Sequence, residues 1–139
     1  MTRLSITTVA VALVLACVAV KAQAPEDAAQ AAAEAWIKIV DAGNYGSSWD
    51  EAAAGLKGAV TQGRWTEAVA AARAPFGTVT SRTVALRQAT DQLPGAPAGK
   101  YVVLQFTTAF EKRPATETVT LMLDGDRGWR VAGYFVKPS

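Results

Sequence analysis

Asp41 is the carboxylate with the strongest claim to chemistry in this chain. It lies in the stretch Glu34–Ala54, EAWIKIVDAGNYGSSWDEAAA, in the last turn of a helix that runs out at Gly43. Tyr45 and Trp49 flank the turn that follows. A negative charge at a helix C-terminus is opposed by the helix dipole, so a basic group should offset it. Arg73, Arg82 and Arg130 are the candidates. Two readings stay open: a structural ion pair between helix and sheet, or a carboxylate that faces a ligand or serves as a general base. Tyr45 and Trp49 either staple the turn and cover the edge of the core or line the mouth of a pocket. Asp41, Tyr45, Trp49 and Arg82 are therefore the candidate ligand-binding residues. Tyr101, Tyr134 and Glu117 could add polar groups on the sheet.

Much other chemistry is excluded by composition. The chain has no His and a single Cys, Cys17. With no imidazole, and with Cys17 expected to leave with the export signal, there is no Ser-His or Cys-His nucleophile and no ordinary transition-metal site. An enzyme here would have to run on carboxylates, Tyr, Lys or Arg. Gly125 and Gly128 belong to a turn, since no GK[ST] or helix start follows them. Asp124 and Asp126 with one intervening Gly fall short of a calcium loop. We expect no metal, no cofactor and no catalytic residue.

The N-terminus reads as an export signal. Arg3 supplies a positive start, Ile6 to Val20 is apolar apart from Thr7 and Thr8, and small residues follow. Val20 and Ala22 suit the positions before a cut between Ala22 and Gln23, which gives a signal peptide over 1–22. The apolar run is shorter than the roughly 20 residues a spanning helix needs. Val14-Leu15-Ala16-Cys17 is a passable lipobox, so lipid attachment at Cys17 is the alternative; the apolar run continuing past the cysteine speaks for ordinary cleavage. The expected location is the periplasm.

Residues 23–139 then form one small domain, long enough for a single core. They carry twelve basic and twelve acidic side chains, unevenly spread. Residues 23–72 hold three basic and seven acidic groups, and residues 73–139 nine and five. Acidic helices beside a basic sheet account for this. Scattered cations on a neutral, exported chain argue against nucleic acid.

Pro25 with Glu26 and Asp27 suits a helix start. Ala29, Ala33, Trp36, Ile37 and Val40 give that helix one buried stripe, and Gly43 its left-handed end. Ser48-Trp49-Asp50-Glu51 reads as a capping box opening a second helix that stops near Val60. A third begins at Thr61 or Gln62, with Trp65, Ala68, Val69 and Ala72 inward and Pro75 closing it. After Gly77 the period falls to two. Strands are expected over 78–89, 101–111, 116–123 and 129–137, with a loop at 93–99 and a hairpin at 124–128. Val102, Leu104, Phe106 and Phe110 share one face of the second strand. The opposite face would carry Tyr101, Val103, Gln105, Thr107 and Ala109, with Ala132, Tyr134 and Val136 from the fourth. That is apolar for a solvated surface and leaves room for a homodimer through the sheet.

The turn at Asn44–Tyr45, RAPFG at Arg73–Gly77, LPGAP at Leu93–Pro97, YVVLQFTTAF, ETVTLML and GWRVAGYFV occur in one order over the exported part. In this the chain resembles a bacterial exported family, domain of unknown function 4019. The resemblance implies a reduced nuclear-transport-factor-2-like or cystatin-like fold, in which a sheet wraps a long helix and many members enclose a pocket. It also implies sheet-to-sheet dimers. Helices followed by strands give the same class from the residues alone: α+β, three N-terminal helices packed on a curved four-stranded antiparallel meander. The functional reading is a periplasmic, non-catalytic domain that binds a small ligand or an envelope protein partner. The rival is a carboxylate-dependent isomerase or hydrolase with its site in the cone between the first helix and the sheet.

Overall fold

The computed structural model describes residues 24–139; the signal-peptide reading, Cys17 and the cut at Gln23 lie outside the described residues. Helix α1 (Pro25–Asp41) has Pro25 at its start and Glu26 and Asp27 in its first turn. Its buried residues are Ala29, Ala33, Trp36, Ile37 and Val40, the stripe read from the sequence. It ends in a Schellman motif. Gly43, at φ +78°, donates to the Val40 carbonyl at 2.9 Å, and Asn44 donates to that of Ile39 at 3.1 Å.

Where one helix was expected from Ser48 to Val60, there are two short ones, α2 (Tyr45–Asp50) and α3 (Ala54–Ala59). Ser48 opens neither and caps nothing. It is fully buried inside α2, where its hydroxyl donates to the Tyr45 carbonyl at 2.6 Å and accepts the Trp65 indole N–H at 2.9 Å. Its own carbonyl accepts the Trp36 indole at 2.8 Å. A serine holding two tryptophans in the core has no hydroxyl left for a cap. The chain breaks after α2 because Ala52 and Ala53 are fully buried and Ala53 donates instead to the Val131 carbonyl at 2.8 Å.

The cap of α3 comes from far along the chain. A carboxylate oxygen of Asp124 accepts the Ala54 N–H at 3.0 Å, satisfying a donor that a six-residue helix cannot serve internally. Asp124→Ala is expected to cost about 1 kcal/mol of stability, the ordinary worth of a cap. Urea unfolding measures it, and a loss below about 0.3 kcal/mol would mean that water serves Ala54 equally well.

Helix α4 (Gln62–Arg73) starts at Thr61, whose hydroxyl accepts the Arg64 N–H at 3.3 Å. Its inner face is narrower than expected. Trp65, Val69 and Arg73 are buried, whereas Ala68 and Ala72 are exposed. The helix packs through a single four-residue ridge, and an arginine continues the apolar row. The core joins the α1 stripe to Val102, Leu104 and Phe106 of the sheet, with the Trp36 ring edge-on to Tyr134 at 5.6 Å and tilted against Trp65 at 6.3 Å. Phe76, Phe110 and Ala115 form a smaller cluster at the far end.

Strands β1 (Val79–Thr90), β2 (Tyr101–Phe110), β3 (Pro114–Leu123) and β4 (Trp129–Pro138) form an open antiparallel meander in that order. The class is α+β as expected, with four α-helices among the described residues in place of three. Two residues expected on the outer face of β4 lie inside. Thr120 pairs with Gly133 and Leu121 with Val131, so Ala132 is an extra residue, a β-bulge. One inserted residue reverses every following side chain. Tyr134 and Val136 therefore turn toward the helices, and Phe135 points out with 71% of its surface exposed. Tyr101 does face outward by alternation but is buried too, its hydroxyl donating to the Pro97 carbonyl at 2.6 Å in the preceding loop.

Candidate functional site

Four charged side chains meet where α1 and α4 end over the sheet. Each arrives by the local logic of its element. Asp41 closes α1; Arg73 is the last residue of the α4 ridge; Arg82 faces inward from β1, opposite Thr108. Glu117 follows the inward alternation of Ala115, Val119 and Leu121 on β3.

The bonding is nearly complete. Asp41 accepts from Arg73 at 2.9 Å and from both terminal nitrogens of Arg82 at 2.8 and 3.0 Å. Glu117, with no exposed surface, accepts from Arg82 Nε at 2.8 Å, from the Thr108 hydroxyl at 2.5 Å and from the Tyr134 hydroxyl at 2.5 Å. Arg73 Nη1 lies 3.4 Å from Glu117 and 3.2 Å from the Tyr134 oxygen. The Arg73 guanidinium also sits 5.0 Å from the Phe110 ring, a cation–π contact. Only its Nε lacks a partner. Two positive and two negative charges cancel, as burial requires.

Burial pushes the Asp41 carboxyl up, but hydrogen bonds from Arg82 and then Arg73 outweigh it and hold the group below the ordinary carboxylate range. Burial, and next the neighbouring Glu117 charge, push the Tyr134 phenol far up, so it stays a hydrogen-bond donor. Both directions oppose proton transfer near neutral pH, which needs a carboxylate raised or a phenol lowered.

The structure brings two of the four candidate residues together, Asp41 and Arg82. Of the three possible partners of Asp41, Arg73 and Arg82 are used; Arg130 pairs instead with Glu51 at 2.8 Å. Tyr45 lines a shallow depression of about 320 Å³ with Asp41, Ala70, Arg73 and Thr78. Trp49 stands apart from it, donating its indole N–H to the Val60 carbonyl at 2.8 Å with the Lys57 ammonium 5.8 Å from its ring. Arg82 borders another small hollow with Glu34, Ile37 and Phe106.

A larger recess lies elsewhere, and no residue choice made from the sequence points to it. Between α1, α2 and the start of β4 runs an open groove of about 520 Å³, with Ala32, Trp36, Ile39, Trp129 and Val131 along it and Arg127 and Arg130 beside Glu51. Trp129 was read as core; it is only half-buried and also borders a second recess of about 370 Å³ near Pro25 and Lys100. The indoles of Trp36, Trp49 and Trp65 each donate to a protein oxygen. No such acceptor serves Trp129 among the described residues.

Among the described residues no group of three His, Cys, Asp or Glu could hold a metal ion, and no helix is long and apolar enough to cross a membrane. Residues 32–134 match the model of a family described as a protein of unknown function, DUF4019. No curated protein and no solved structure matches the chain.

Proposed function

This chain belongs to the DUF4019 family, and we propose that it is a periplasmic, non-catalytic binding domain whose small ligand lies in the groove between α1 and β4. One contrast carries this reading. The Asp41 and Glu117 carboxylates are spent on two arginines, while the groove keeps an apolar floor and includes Trp129, whose indole N–H has no partner among the described residues. Ligand sites have that composition, a mostly apolar recess with a few convergent polar groups. Export rests on the apolar run Ile6–Val20 and the small residues around Ala22. A nuclear-transport-factor-2-like or cystatin-like fold suits a meander packed on one long helix. A carboxylate-dependent isomerase or hydrolase would draw on Asp41 or Glu117, and both are engaged by Arg73 and Arg82.

A neutral fluorescent probe, N-phenyl-1-naphthylamine, is expected to bind one-to-one with enhanced emission. Ile39→Glu, which sets a charge on the groove wall, should weaken it at least about tenfold. A probe that does not bind, or that ignores Ile39→Glu, overturns the groove. A second reading, an envelope protein or second copy covering the outer sheet face, is favoured by Phe135, 71% exposed among half-exposed Thr116, Thr118 and Met122. Binding that responds to Phe135→Ser and not to Ile39→Glu would select it.

A further inference from the structure

We infer that the groove recognises a soluble amphipathic carboxylate, an apolar chain ending in one anionic head. This rests on the groove reading and adds the class of ligand. The apolar wall follows α1 from Ala32 through Trp36 to Ile39, two helical turns or roughly 10 Å. That length suits an extended medium-length chain. Opposite it stand Trp129 and Val131 of β4.

The head is read from the polar groups at the rim. Arg130 is fixed rather than free to wander: Nη1 donates to Glu51 at 2.8 Å and Nε to the Arg127 carbonyl at 3.2 Å. Its remaining nitrogen, Nη2, has no partner among the described residues. Arg127 donates Nη1 to Asp124 at 3.1 Å, and its other guanidinium donors have none there either. The groove lining holds two guanidinium groups and one carboxylate, Glu51, while Asp124, outside the lining, pairs with Arg127. A guanidinium already oriented by two bonds offers its free Nη2 to a carboxylate oxygen with little further ordering, a charge-assisted hydrogen bond. Glu51 and Asp124 already offset the two arginines, so the head carries a single negative charge, as a carboxylate does.

The test displaces bound N-phenyl-1-naphthylamine with decanoate and, separately, with decanol. Decanoate should displace it about tenfold more effectively, the worth of one charge-assisted hydrogen bond at a partly exposed site. In R127Q/R130Q the advantage of decanoate over decanol should disappear, with an unchanged circular dichroism spectrum reporting that the variant is folded. Equal displacement by acid and alcohol in the wild type overturns the carboxylate and leaves the groove standing. Displacement by phosphatidylglycerol vesicles and not by monomeric decanoate overturns it as well, in favour of a lipid surface. Absence of any probe binding defeats the groove itself, a separate outcome.

Discussion

Glu117→Ala is expected to lower the unfolding free energy by about 3–5 kcal/mol, the usual consequence of removing one partner from a buried ionic cluster. The side chain has no exposed surface and accepts hydrogen bonds from Arg82, Thr108 and Tyr134. Its loss strands those donors and leaves two guanidinium groups facing the one charge of Asp41. Neither arginine can readily turn to water, because the Arg73 side chain is 6% exposed and that of Arg82 14%. Glu117→Gln removes the charge but keeps the shape and one acceptor, so it should recover part of the loss. Small domains of this size commonly unfold in one step, and guanidinium chloride curves would give both values directly. A loss below about 1 kcal/mol for Glu117→Ala would mean the arginines relax into solvent, and the cluster would not be what ties the ends of α1 and α4 to the sheet. Replacing the entire cluster by apolar residues is a different experiment with a smaller expected cost, since desolvation of four charges would vanish with their attraction.

How far this cluster was legible in the sequence depends on the residue. Helix α1 announced itself through Ala29, Ala33, Trp36, Ile37 and Val40, because a long amphipathic stripe is dictated by burial alone. The four strands and their meander order followed from period-two alternation and from the loops at 93–99 and 124–128. Asp41 needed a cation on electrostatic grounds, and two of its three suggested partners supply one. Glu117 was visible in principle, since ETVTLML places it on the face of Val119 and Leu121. The geometry around it was not, for a reason local to Ala132: a bulge shifts parity without marking the sequence, so Tyr134 looked outward. Ser48 misled for a similar reason. Ser-x-x-Glu spacing reads as a capping box, yet two indoles seventeen or fewer residues away claimed the serine first. The groove was hidden because its walls come from Ile39 and Trp129, which only the tertiary fold brings together.

Asp41→Asn should also destabilise the fold, by about 1–3 kcal/mol, less than Glu117→Ala because this side chain keeps 27% of its surface exposed. An asparagine still offers one acceptor oxygen but turns an amide donor toward arginines that already donate. The pH dependence gives the sharper signature. Burial pushes the Asp41 carboxyl up, but Arg82 and Arg73 outweigh it and hold the folded-state pKa below the ordinary value of 3.8. Folding therefore favours the charged form. Its contribution is fully present above the unfolded value and disappears as pH falls through the lower folded value. Wild type should thus exceed Asp41→Asn in stability by a constant margin from neutral pH to about pH 5, and the two curves should converge below about pH 4. Other carboxylates titrate in both proteins, so the difference isolates Asp41. Held instead as a functional carboxylate, at a cost to the fold, Asp41 would give a variant as stable as the wild type or more so. A margin that is absent at neutral pH, or that persists unchanged in acid, would remove the ion pair as the reason Asp41 sits at the end of α1.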